Sequence, residues 1–229
     1  MSYFSRSEEN GLRLLKPSDQ RVLSVGISTA GGAEVRMLES SESRTIVATT
    51  LDSSGIANIT SILKAQGLSD RVEVRLEDIS DPHLSYHDDE FDYVYARLVL
   101  HYLSAQQLRT ALESLRRVVK PKGRLFVVVR STDCAELKDG SIDFNESTRL
   151  TTYRTPSGTV ASRYFHTQES ISKAIEDAGF KVENIQSFDE ELSPGFMRDT
   201  NIWVTNNLIE VLASKPASRL SRERGEGEA

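Results

Sequence analysis

Apolar and polar positions along this chain switch repeatedly between a strand period and a helix period. Arg21–Val25 (RVLSV) is a short apolar run that stops at Gly26, which predicts a strand. A helix is expected over 32–40, and Thr45–Thr49 (TIVAT) reads as the next strand. Between Gly55 and Gly67, Ile56, Ile59 and Leu63 recur at spacings of three and four, the stripe of an amphipathic helix. Gly67 is placed to end it. Arg71–Glu77 (RVEVRLE) alternates apolar and charged residues, as a strand with one wet face near a sheet edge would. Phe91–Ala96 (FDYVYA) predicts a fourth strand. Leu108, Ala111, Leu112, Leu115 and Val118 mark a strong amphipathic helix over 105–119, ended by Lys120-Pro121-Lys122-Gly123. Leu125–Val129 is apolar throughout, as in a central strand covered on both faces.

Strands separated by helices imply right-handed crossovers and a mostly parallel sheet, an α/β fold. The last third changes character. Residues 151–165 read as a hairpin or lid around Pro156-Ser157-Gly158. Thr167 is a candidate N-cap, with Ser170 at the capping-box position, for a helix carrying Ile171, Ala174, Ile175 and Ala178, and Gly179 closes it. Strands are expected over 180–188 and about 202–213. One domain over 1–213 is expected, with a disordered Ser-, Arg-, Glu- and Gly-rich tail over 214–229.

Composition narrows the function classes. The formal net charge is −6, which argues against a non-specific DNA binder and leaves a local basic patch for structured RNA open; nucleic acid is not the expected partner. No run approaches the ~20 apolar residues of a membrane span. MSYFSRSEEN lacks a secretory signal pattern. The one cysteine, Cys134, leaves no intrachain disulfide, and a cytoplasmic location is expected.

In an open α/β sheet, ligands bind beyond the carboxyl ends of the strands, near the switch in strand order. After the first strand comes a turn of small residues, Gly26 to Gly32, including Ser28 and Ala30. It suits close approach of a ligand to backbone N–H groups, or simply a tight turn. After the second comes Asp52, able to accept from ribose hydroxyls or to cap a helix, with Thr50 as a competing position. After the third comes Asp78-Ile79, a carboxylate for an exocyclic amine and an apolar side chain for a ring, or a solvated turn. After the fourth come Arg97 and His101, the latter either at the cleft or buried in the fold. His83, His87, Asp88 and Asp89 match no strong metal-ligand spacing, and no metal is expected.

Taken together, these segments resemble the class I S-adenosylmethionine-dependent methyltransferases from about Arg21 to Phe188. VLSVGISTAGGAE is similar to the family's glycine-rich first motif, TTLDSSGIA to the segment with the acidic ribose ligand, and RVEVRLEDIS to the adenine-binding motif. FDYVYARLVLHYL and LRRVVKPKGRLFVVV resemble the fourth motif and the helix, Pro-x-Gly, strand segment after it. SRYFHTQESISKAIEDAGFKV resembles a unit of the small-molecule branch. The resemblance implies a Rossmann-like, doubly wound, seven-stranded sheet with a terminal antiparallel strand and a hairpin insertion. It implies S-adenosylmethionine as cofactor, held by Gly26, Ser28, Ala30, Thr50, Asp52, Asp78, Ile79 and Arg97. Two positions depart from the family. Ser24 stands where an acidic residue is usual, and Ser28 where a second glycine is usual.

The implied reaction moves the sulfonium methyl to an O, N, S or C nucleophile, on a small molecule by the absence of an added basic domain. His101, Tyr164 and His166 are the candidate catalytic residues. Ser24 and Ser28 keep open an alternative, a non-catalytic binding or interaction module on the same fold. Oligomeric state is not legible.

Overall fold

The computed structural model describes residues 5–27, 32–155, 158–192 and 204–217. Five strands, β1 (Arg21–Val25), β2 (Thr45–Thr50), β3 (Val72–Leu76), β4 (Phe91–Arg97) and β5 (Val119–Arg130), pair in parallel. They continue into β9 (Lys181–Leu192) and β10 (Val204–Ser214), giving the order β3-β2-β1-β4-β5-β10-β9. Strand order reverses between β1 and β4, where a ligand cleft is expected. β10 is antiparallel to both neighbours and sits one strand in from the edge. The alternating segment over 71–77 is indeed the edge strand β3, and the apolar run over 125–129 lies in β5, between two partners.

Helices cover both faces. On one, α4 (Ala105–Val118) and α6 (Gln168–Asp177) bury Leu108, Leu112, Leu115, Ile171 and Ile175 against β1, β4 and β5. On the other, α1 (Arg6–Arg13), α2 (Ala33–Glu39) and α3 (Ser53–Ala65) bring Leu12, Met37, Leu38, Ile59 and Leu63 to a second core. Each fully buried aliphatic side chain contributes about 1.5–3 kcal/mol. Thr167 and Ser170 form the expected capping box, and Ser104 with Gln107 forms a second at α4. Gly11 lets α1 sit close, since a Cβ there would lie 2.5 Å from the Tyr95 ring and 2.6 Å from that of Phe126.

One expectation is extended and two need correction. The expected hairpin is part of a three-stranded sheet, because β6 (Ser141–Phe144) pairs with β7 (Thr151–Arg154), which pairs with β8 (Val160–Arg163). The short helix α5 (Ala135–Gly140) leads into it. All four residues of β6 are exposed, so it carries no burial pattern to read. β9 runs on past Phe188 to Leu192 through Asp189-Glu190-Glu191, polar residues that mask a strand. The tail does not start at 214. Ser214 pairs in β10, and Lys215 exchanges backbone hydrogen bonds with Lys122 and Gly123 and reaches Asp89 at 2.6 Å. Residues 218–229 lie outside the described residues.

Candidate functional site

A cleft of about 610 Å³ opens beyond the carboxyl ends of β1, β2, β3 and β4. That volume suits a drug-sized ligand. Gly26, at the end of β1, has φ +83°, and a Cβ there would lie 2.8 Å from the Val99 side chain. Only glycine meets both conditions without strain. Its N–H and that of Ile27 both donate to the Thr49 carbonyl at 2.9 Å, which turns the chain towards α2. Ser28 and Ala30 lie outside the described residues.

The turns after β2 and β3 bring carboxylates to the rim. Asp52 is exposed, lines the cleft and directly precedes α3. Its N–H donates to Thr50 Oγ1 at 3.0 Å, so Thr50 shapes this turn while also lining the cleft. Asp78 is exposed and holds its own turn, with Oδ1 accepting from the N–H and the hydroxyl of Ser80 at 2.9 and 2.7 Å. Ile79 is buried and lines the cleft beside it. Glu77 lines the cleft too, and burial raises its carboxyl pKa although the Tyr86 hydroxyl donates to it.

Arg97 reaches the cleft, but its donors face the N-terminal segment. Nε donates to Ser7 Oγ at 2.7 Å and Nη2 to Ser5 Oγ at 2.6 Å, and Glu190 lies at 3.5 Å. Glu190 in turn accepts from the Ser7 N–H at 3.0 Å. The guanidinium thus moors α1 at the mouth of the cleft.

Glu34 is the residue that sequence reasoning missed. It lies in the first turn of α2, is 3% exposed and lines the cleft. The Ser24 hydroxyl donates to its Oε1 at 2.7 Å. A carboxylate therefore stands beside Ser24 although β1 itself supplies none. Tyr95, the register partner of Ser24 on β4, also lines the cleft, with its hydroxyl buried and without a hydrogen-bond partner. Glu8 of α1 adds a second buried carboxylate, ion-paired with Arg36 at 3.1 Å. The sequence signal was an acid in the first turn of the helix that follows a glycine turn, ten positions after a serine that replaces the usual acid.

His101, Tyr164 and His166 come together, but none is among the residues lining the cleft. The backbone N–H of Tyr164 donates to the His101 carbonyl at 2.8 Å, and the rings of Tyr164 and His166 lie 3.9 Å apart. His101 Nδ1 accepts from the Arg130 N–H at 3.3 Å, and Nε2 of both histidines is buried and without a partner. Burial pushes the His166 pKa down to about 3, and burial with Arg163, Arg130 and His166 nearby holds His101 well below its ordinary value. Both rings are neutral near pH 7. His83 and His87 are exposed, and among the described residues no group of three or more His, Cys, Asp or Glu side chains could hold a metal ion.

This cleft can take a flat ring system against Ile79, ribose hydroxyls at Asp52 and a cation at Glu34. Residues 23–127, which span β1 to most of β5, match the family described as a methyltransferase domain. The chain thus carries a methyltransferase domain over these residues and is read as an S-adenosylmethionine-dependent methyltransferase, with S-adenosylmethionine as its cofactor. No curated protein matches the sequence. Solved structures resemble the fold at low identity. An S-adenosylmethionine-dependent methyltransferase from Methanosarcina mazei is 17% identical, with a TM-score of 0.72, over 95% of this chain and 100% of that one. A 1,6-didemethyltoxoflavin-N1-methyltransferase from Burkholderia thailandensis, solved with its substrate and S-adenosylhomocysteine, is 14% identical, with a TM-score of 0.63, over 92% and 79%. The [4+2]-cyclase SpnF is 19% identical, with a TM-score of 0.65, over 93% and 81%.

Proposed function

We propose that this enzyme methylates a small-molecule nucleophile, with the acceptor entering between the cleft and the small sheet β6–β8. The observation that carries this reading is how that sheet is seated. Arg163 of β8 donates to the hydroxyl of Tyr102, a cleft-lining residue, at 3.1 Å. His166 just beyond it bridges to Ser131 at the end of β5. A sheet tied this closely to the cleft favours a small acceptor over a macromolecule. The toxoflavin-precursor methyltransferase is a precedent for a small acceptor on this fold. The cyclase on the same fold is a reminder that architecture does not fix chemistry.

When bound, the cofactor supplies an electrophilic methyl group on a sulfonium. The chain's own residues position it and the acceptor. Glu34, oriented by Ser24, takes the ammonium of the amino-acid end. Asp52 accepts from the ribose hydroxyls, and Asp78 with Ile79 holds the adenine. Arg97 acts through α1, which it moors over the cleft. Alignment of two reactants can remove about 7–11 kcal/mol of barrier. His101 and His166, neutral and held far from a pKa suited to proton uptake near pH 7, act in this reading by shaping the acceptor wall with Tyr164 rather than as general bases. One buried, reduced cysteine fits the cytoplasm as the place of action.

The test is methylation of a cell extract with S-adenosylmethionine bearing an isotopically labelled methyl group. Label in the fraction below about 1 kDa, dependent on the enzyme, supports the reading. Label only in protein or RNA contradicts it.

A further inference from the structure

Behind Tyr102 lies a buried charged cluster, of which the reading above uses only the Arg163–Tyr102 hydrogen bond. Arg130 ends β5, Arg163 ends β8 and Glu136 sits on α5. The Arg130 and Arg163 side chains are 7% and 12% exposed, and that of Glu136 is 9% exposed. Both guanidiniums converge on one oxygen. Arg163 Nη1 donates to Glu136 Oε2 at 2.8 Å, and Arg130 Nη1 lies 3.0 Å from that atom without hydrogen-bond alignment.

The charges do not balance. Two guanidiniums face one carboxylate. The other titratable groups packed here bring no second anion. His101 and His166 are neutral, burial raises the Cys134 thiol, and burial pushes the Tyr153 hydroxyl up to about 12. Asp133 is exposed and paired with Lys138 at 3.0 Å. A buried positive charge without a counter-charge is costly. The donors do not balance either. Arg130 Nε and Nη1, Arg163 Nε, His101 Nε2 and Tyr153 Oη are all buried without a hydrogen-bond partner. They make up five of the eight such atoms among the described residues. Aromatic rings wall the cluster, with the Arg163 Cζ lying 5.1 Å from the Tyr102 ring centroid and 5.4 Å from that of Tyr153.

We infer that Arg130 and Arg163 form a subsite for a carboxylate carried by the methyl acceptor, reached from the cleft past Tyr102. This rests on the small-molecule reading. A monoanion brings the cluster to neutrality, and a carboxylate matches the planar fork of a guanidinium. A phosphate dianion would overshoot. Because Tyr102 also lines the cofactor cleft, a carboxylate anchored at Arg163 leaves the rest of the acceptor facing the methyl-transfer end. Entry exchanges the Arg163–Tyr102 hydrogen bond for one to the ligand, so Tyr102 is the gate.

The test is calorimetric titration of free and S-adenosylhomocysteine-loaded enzyme with benzoate, its neutral analogue benzamide, and phenyl phosphate, in a buffer without other carboxylates or phosphate. Benzoate should bind at least tenfold tighter than benzamide, and tighter than phenyl phosphate. Arg163→Gln should abolish the preference for benzoate. Glu136→Gln removes the competing carboxylate and should tighten benzoate several-fold, whereas a purely structural latch predicts no gain. If Arg163→Gln does not fold, the wild-type preference and Glu136→Gln decide. Equal binding of benzoate and benzamide, or no gain with Glu136→Gln, overturns the proposal. Tighter phenyl phosphate overturns the assignment to a carboxylate. Binding of S-adenosylhomocysteine is read in the same series, so a failure of the methyltransferase reading registers separately from a failure of the subsite.

Discussion

The cofactor side and the acceptor side of this enzyme are built in opposite ways. On the cofactor side, Thr50, Asp52 and Asp78 stand at or within a few residues of their strand ends, and Asp52 and Asp78 are exposed. On the acceptor side proposed here, His101, Arg130, Tyr153 and the Arg163–His166 segment come from four separate points in the chain and are mostly buried. The first side is an open cradle ready for a ligand that many relatives share. The second is a closed, charge-unbalanced cluster on which acceptor choice can depend. In the proposed reading, common chemistry sits on the common scaffold and particular chemistry on the small sheet β6–β8.

Substitutions on each side test this contrast. The largest effect is expected at Gly26. Gly26→Ala places a side chain at φ +83° and within 2.8 Å of Val99, costing about 1–3 kcal/mol of stability before any ligand is added. Thermal unfolding of the free protein should fall by several degrees, and Val99→Ala should restore only part, since the backbone strain remains. An unchanged melting temperature would mean that Gly26 serves the ligand alone.

On the acceptor side the effect should be one of pH. The His101 and His166 pKa values in the fold lie below the unfolded value of about 6.5. As pH falls below about 6.5 the unfolded chain takes up protons first, so stability is lost, by about 1.4 kcal/mol per pH unit for each histidine. Denaturant unfolding between pH 6.5 and 5 should show this slope, and His166→Gln should lower it by one histidine's share. A slope unaffected by the substitution would show that His166 is charged in the fold.

A smaller effect is expected at Asp52. Asp52→Ala should weaken S-adenosylhomocysteine about tenfold, or about 1.4 kcal/mol. A lowered melting temperature of the free protein with unchanged affinity would reduce Asp52 to a helix cap.

The two sides also differ in how far the sequence discloses them. The alternation of periods, the breakers at Gly67 and Gly179 and the Thr167–Ser170 box are local signals, and the elements lie where they predict. The cleft residues after β2 and β3 were equally legible, because each follows its strand directly. Glu34 was not, because its closeness to Ser24 depends on how α2 folds back after the glycine turn. The Arg130–Glu136–Arg163 cluster was invisible for the same reason at longer range. Strand β6 was missed because nothing about its four exposed residues is periodic.

In the proposed reading, Glu34 of α2 supplies the carboxylate that β1 lacks. The most direct test is calorimetry of wild-type and Glu34→Gln enzyme with S-adenosylhomocysteine and with 5′-methylthioadenosine, which lacks the amino-acid end. Losing a buried charged partner typically costs about 3–5 kcal/mol, so S-adenosylhomocysteine should weaken by roughly 100-fold or more while 5′-methylthioadenosine binds as before. Equal affinities for S-adenosylhomocysteine in the two proteins, or an equal loss for both ligands, would contradict the claim.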